Sequence, residues 1–391
     1  MVIVKEWVLR YLFLLAATGL LCFARGLSSA SEPADSTQVN PSLPAISSLP
    51  DSFAGFVRDI SPLITAKRSM TPKQYRQIEP SLYYLSRLHA ETLAVLPPPR
   101  QLATLVKLAE FIDRKREATG QKVVIGPNQK LIGLLDPARG LDRKEITTIA
   151  ASYGAQSDVF KQEKNGETIR QIAGAFLSAV SDAAASITPT TIVVLGHGSP
   201  EEIQSYAIPF GTLADSLIAG RLRTSQPADR NPATVNLSHI ILICDDCFST
   251  DFQINLAASI EKKCAAHNLP LDSLPFFIAG TNRDRVGHAD VGEKFVPHFW
   301  REVIQLFYIR LPRPKQVTLR DFFEKVDNTM YGYGRTPIVE GGAVIGYHVN
   351  DPEMFQDPVF FIPLDLDDLA TLRAILGLDA AAPLPRAFDI G

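Results

Sequence analysis

The hydrophobic pattern changes character about 120 residues into the chain. Before that point apolar residues recur at helical spacing. Leu82, Leu85, Leu88, Leu93 and Val95 form one stripe, stopped by Pro97-Pro98-Pro99. Pro80 suits the first turn of that helix, and Leu102, Leu105, Leu108 and Phe111 open another. Beyond 120, short apolar runs alternate with amphipathic stretches. Strands are expected at 122–126, 130–135, 156–161, 191–195, 239–244 and 274–280. Helices are expected at 143–152, 213–222, 252–267, 291–308 and 365–376. A further helix is expected to start from an Asn165 cap and to carry Ile169, Ile172, Ala173, Phe176 and Val180 on one face.

This alternation predicts an α/β fold, a mainly parallel sheet sandwiched by helices and preceded by a helical N-terminal segment. Sheets of this kind carry their sites at the carboxyl ends of strands. No internal repeat is visible. Composition agrees with a globular chain, 46% hydrophobic and 21% charged over 391 residues. A net charge of −3 gives no sign of a nucleic-acid-binding surface.

The first 30 residues follow another logic. Lys5 and Arg10 precede an apolar run from 11 to 24, too short for an ordinary membrane span. Ser28-Ser29-Ala30 supplies a small-x-small cleavage site. A secretory signal peptide is therefore expected at 1–30, with a secreted or periplasmic product and no membrane attachment after cleavage. An uncleaved anchor helix is the competing expectation, because Arg25 stands before the site. The Ser/Pro/Ala-rich stretch 31–50 reads as a linker, 51–118 as the helical segment, 119–365 as the main domain, and 366–391 as a C-terminal helix and tail.

Cleavage would leave Cys244, Cys247 and Cys264, too few for a disulfide scaffold and odd in number. Two apolar runs end in chemistry. Thr191 to Leu195 leads into Gly196-His197-Gly198. His239 to Ile243 leads into Cys244-Asp245-Asp246-Cys247-Phe248-Ser249, with His197 standing 50 residues ahead of Cys247. A thiol needs a base or a charge-stabilising neighbour to act as a nucleophile, and an imidazole supplies either. Gly198, without a Cβ, leaves room for a substrate carbonyl, and its N–H with that of Cys247 would form an oxyanion hole. The expected reaction is acyl transfer on a protein or peptide, with no cofactor. No third catalytic side chain stands out.

With these residues in that order, the chain resembles the clan CD cysteine peptidases of the caspase–hemoglobinase fold, which include caspases, metacaspases, legumains, clostripains and gingipains. The resemblance covers about 120 to 310 and includes the approach Asn165-Gly166-Glu167-Thr168-Ile169-Arg170. A histidine about 50 residues ahead of the cysteine is also the caspase spacing. The resemblance implies His197 as general base, Cys247 as nucleophile and Asp245 as the wall of the S1 pocket. A carboxylate in S1 would favour Arg or Lys at P1. The chain departs from the family in carrying Phe248-Ser249-Thr250 where many relatives have Ser-Gly, and Asp246 where a small residue often precedes the cysteine.

Those departures motivate one alternative, an inactive caspase-like binding scaffold. A second is a structural zinc site, because Cys244-x2-Cys247 and Cys264-x2-His267 have ligand spacing. A third is a Cys244–Cys247 redox pair. His89, His239, His288, His298 and His348 show no partner pattern, so surface or satisfied core positions are expected for each. Asp284 and His288 follow the run at 274–280 and read as loop residues that could also border S1.

Overall fold

The computed structural model describes residues 107, 110–111, 114–137, 143–162, 168–223, 234–281, 287, 298–308, 314–327, 335–340, 343–349, 358–381, 384 and 386–389. The expected signal peptide (1–30), linker (31–50) and nearly all of the N-terminal helical segment lie outside them. So do Asn165, Asp284, His288 and residues 291–297. The chain divides into two compact units, Met1–Lys115 with Thr371–Leu384, and Arg116–Ala370 with Pro385–Gly391. The second unit holds the central sheet and both strand-end motifs. Among the described residues no helix is long and apolar enough to cross a membrane.

The elements run β1 (Val123–Ile125), β2 (Lys130–Leu135), α1 (Arg143–Ser152), β3 (Gln156–Lys161), α2 (Ile169–Ala185), β4 (Thr190–Leu195), β5 (Glu202–Ile203), the 3-10 turn Gln204–Tyr206, β6 (Ile208–Pro209) and α3 (Phe210–Arg223). Then come β7 (Val235–Asn236), β8 (Ile240–Asp245), α4 (Ser249–Ala266), β9 (Leu271–Ser273), β10 (Phe276–Ala279), α5 (His298–Phe307) and β11 (Val317–Thr318). A hairpin of β12 (Arg335–Glu340) and β13 (Ala343–Val349), then β14 (Val359–Pro363), the helix α6 (Leu366–Leu376) and β15 (Ala387–Asp389) complete the order.

A seven-stranded sheet in the order β15-β14-β10-β8-β4-β2-β3 organises the second unit. Five strands, β3 to β10, pair in parallel, and β14 and β15 add antiparallel to one edge. The mixed α/β architecture and its mainly parallel sheet follow from the alternating pattern. The antiparallel edge does not. The sequence pattern makes 366–391 a helix and tail, yet Ala387–Asp389 pairs with Val359–Pro363. A three-residue strand is below what periodicity can detect, and its partner is remote in sequence.

Central strands β4 and β8 are buried along their whole length, which is why both read as unbroken apolar runs. One face of the sheet (Ile132, Leu134, Ile192, Val194, Leu242, Phe277) packs on α2, α3 and α4 through Phe176, Val180, Leu213, Leu217, Phe252 and Leu256. On the other, Ile146 of α1 meets Gly133. Tyr153, Trp300, Phe307 and Phe322 form a further buried group of edge-to-face rings. Helix α2 is capped by Thr168, whose side chain accepts the Gln171 N–H while Gln171 returns the bond to the Thr168 N–H. This reciprocal box, rather than the expected Asn165, sets the start of the helix.

Candidate active site

The chain enters the parallel part of the sheet at β2, steps to β3 at one edge, and returns past β2 to β4. Progression along the sheet reverses between β2 and β4. The carboxyl ends of two strands whose connections diverge leave a crevice, and ligands of such sheets bind there. His197 follows β4 at this point.

Register sets the second residue beside it. Leu195 of β4 pairs with Asp245 of β8, so His197 and Cys247 each stand two residues beyond the last pair of neighbouring parallel strands. Neighbouring strands lie about 4.8 Å apart. The His197 side chain is exposed and Cys247 is half-buried. The structure thus brings His197, Gly198, Asp245 and Cys247 to one edge of the sheet.

Both glycines of the Gly-His-Gly triplet have neighbours that require them. A Cβ on Gly196 would lie 2.7 Å from Ser205 Oγ and 3.6 Å from Asp136 Oδ2. A Cβ on Gly198 would lie 2.3 Å from Asp246 Oδ2. The space that the sequence suggested for a substrate carbonyl on that side of Gly198 is filled by the Asp246 side chain. Asp246 is 1% exposed and points inward, between the two loops.

The His197 loop is fixed at several points. Ser205 Oγ accepts the His197 N–H at 2.8 Å and donates to Asp136 Oδ2 at 2.5 Å. The Ser205 N–H donates back to the His197 carbonyl at 3.2 Å. Beside it, Tyr206 Oη donates to the Leu135 carbonyl and accepts the Gln162 N–H. Burial pushes the Tyr206 phenol up to about 12, so it stays a protonated donor. From the other side, Asn255 Nδ2 of α4 donates to the Pro200 carbonyl.

Turning from β8 into α4 requires a left-handed residue, and Phe248 takes φ 59° and ψ 26°. A non-glycine side chain costs on the order of 1 kcal/mol there. Buried hydroxyls hold the turn. Ser249 N–H donates to Thr281 Oγ1, Thr281 N–H to Ser249 Oγ, Thr250 Oγ1 to the Thr281 carbonyl, and Thr281 Oγ1 to the Asp246 carbonyl. Cys247 consequently precedes an 18-residue helix.

Asp245 is 1% exposed, and its Oδ2 accepts the Trp300 N–H at 3.0 Å, in the first turn of α5. A Cβ on Gly280 would sit 2.7 Å from the other carboxylate oxygen. Any pocket that uses Asp245 uses it from beneath.

The four zinc candidates are not gathered. Cys244 lies within β8, Cys247 precedes α4, and Cys264 and His267 lie at the far end of that helix. At 1.5 Å per residue this is about 22 Å from Ser249. Among the described residues no group of three acidic, cysteine or histidine side chains could hold a metal ion. Cys244, Cys247 and Cys264 are free thiols. Desolvation, then the charge of Asp246, pushes the Cys244 thiol well up, and burial raises Cys264. Cys244, three residues before the half-buried Cys247, and Cys264, at the far end of α4, are therefore buried and inert thiols. His239 is a structural residue: its Nε2 pairs with the Ala183 carbonyl at 3.1 Å, and burial lowers its pKa.

Sequence reasoning did not find Asp136, Ser205 or Thr281. Asp136 and Thr281 each directly follow an apolar strand run, a signal the strand-end rule could have used. Ser205 carries none. No protein-family model matches the chain, and no curated protein matches it.

Proposed function

We propose that the second unit is a caspase-like cysteine endopeptidase, with Cys247 as nucleophile and His197 as general base. The observation that carries this reading is the register, which sets both residues two positions past paired strand ends beside the switch point. The imidazole takes the thiol proton, and the sulfur attacks the scissile carbonyl carbon. The backbone N–H of Cys247 receives the developing oxyanion; Asp246 fills the Cβ side of Gly198, so the Gly198 N–H shares it only from the other side. The imidazolium returns its proton to the leaving amine, giving a thioester at Cys247. Water, deprotonated by His197, then releases the acid and restores the thiol. The signal-peptide pattern expected at 1–30 supports export, to a secreted or periplasmic location.

Asp245 makes Arg or Lys the favoured P1 side chain. Because Asp245 is buried, this reading puts it at the floor of S1 rather than on the rim. A peptidyl ketone probe with Arg at P1 tests the assignment. Wild type is expected to be labelled at Cys247, more strongly than by the same probe with Ala at P1. Cys247→Ala should lose labelling and His197→Ala should lose most of it. Labelling that persists in Cys247→Ala removes the peptidase reading, and equal labelling by the two probes removes the basic P1.

One observation favours a second reading, a caspase-like binding scaffold without activity. Asp246 is a buried carboxylate adjacent to Cys247, and it fills the Cβ side of Gly198 where a substrate carbonyl was expected. A folded wild-type protein that takes up neither probe supports this second reading.

A further inference from the structure

Ser205, in the 3-10 turn Gln204–Tyr206, bonds to the main chain of His197. We infer that Ser205, oriented by Asp136, is the positioning residue of the catalytic histidine; this rests on the peptidase reading of His197 and Cys247. An exposed imidazole can approach a thiol on the neighbouring strand only if its own main chain is held. Ser205 holds it on both sides, accepting the His197 N–H at 2.8 Å and donating its own N–H to the His197 carbonyl at 3.2 Å.

Asp136 decides which way the hydroxyl works. A serine hydroxyl has one hydrogen, and of its two neighbours only the Asp136 carboxylate can accept it, because the His197 N–H is a donor. The Asp136 carboxylate, 3% exposed and 2.5 Å away, accepts that hydrogen. The lone pairs of Oγ are then left for the His197 N–H. Hydrogen bonds to a charged group are the stronger kind, so this orientation is favoured. Gly196 keeps the arrangement sterically possible, since its Cβ would fall 2.7 Å from the hydroxyl. Asp136 follows β2 and His197 follows β4, so the relay spans the two strands at the switch point.

The test reads the rate at which iodoacetamide alkylates Cys247 as a function of pH, by peptide mass spectrometry on the full chain. Cys244 and Cys264 are buried and do not compete. Wild type, His197→Ala, Ser205→Ala, Asp136→Asn and Tyr206→Phe are compared. The thiolate is the form that iodoacetamide alkylates, so losing an imidazole partner slows the reaction. His197→Ala sets the full loss. Ser205→Ala should move the profile toward it, with alkylation near about pH 6 at least about threefold slower than wild type. Asp136→Asn should move in the same direction by less. Tyr206→Phe loosens the same turn through the Leu135 and Gln162 bonds without removing a bond to His197, so it should lower the melting temperature and move the profile less than Ser205→Ala. If wild type and His197→Ala coincide, the dyad itself fails. If they differ while folded Ser205→Ala follows wild type, the positioning role is overturned and the dyad stands. Should Ser205→Ala not fold, Asp136→Asn decides alone: a shifted profile supports the role and a wild-type profile overturns it.

Discussion

Gly198 owes its lack of a side chain to Asp246, a residue 48 positions later in the chain. The nearest approach, 2.3 Å from an added Cβ to Oδ2, is far inside contact distance. Asp246 is buried, so its carboxylate has little room to retreat. Gly198→Ala should therefore lower stability by about 1–3 kcal/mol, the usual penalty for overpacking. Urea denaturation checks this, and the loss should shrink in an Asp246→Ala background, where the space is free. A glycine beside a histidine at a strand end is legible as a site signal. Its reason is not, because the sequence does not state that two remote loops interdigitate. The same applies to Ser205: a serine in a short turn acquires a role only when Asp136 arrives from another strand.

Among helices, two glycines should respond in opposite directions. Gly220 of α3 faces α2 so closely that a Cβ would meet the Ser181 carbonyl oxygen at 2.0 Å. Gly174 of α2 has nothing within 4 Å of the same position. Alanine gains roughly 0.5–1 kcal/mol over glycine in a helix interior. At Gly174 that gain should appear as a raised melting temperature. At Gly220 the clash is with backbone and wins, for a net loss of about 1–3 kcal/mol. Equal shifts at the two sites would rule out the close α2–α3 crossing.

The elements legible in sequence are those set by local periodicity. Arg143–Ser152 and Gln156–Lys161 match the expected bounds, and the strands leading to His197 and Cys247, expected at 191–195 and 239–244, come within one residue of theirs. What stays hidden depends on partners far along the chain. Val359–Pro363 is antiparallel to β10, and two-residue ladders such as β5–β6 and β7–β9 offer no repeat to detect. Sequence alone puts the cap of α2 three residues early, because Asn165 and Thr168 are both good cap residues. The Gln171 side chain, three positions after Thr168, selects the latter.

At the scale of the molecule, the sheet order explains why the two motifs meet. Helix α1 carries the chain outward to β3, and α2, α3 and α4, packed on one face, carry it back across β2 to β4, β8 and β10. That reversal sets a switch point between β2 and β4, and the next strand delivers Cys247 beside it. Asp136, Ser205, Asp246 and Thr281 then tie the strand ends to one another, so the edge is built as a unit rather than as separate loops. An edge built this way should let Cys247 form an acyl-enzyme with the help of His197. Peptide mass mapping, after rapid acid quench of a reaction with an arginine-P1 peptide ester, detects that intermediate itself. An acyl adduct is expected on Cys247 in wild type, lost in Cys247→Ala and strongly reduced in His197→Ala. No adduct at Cys247, or one that forms at the same rate without His197, would refute the dyad.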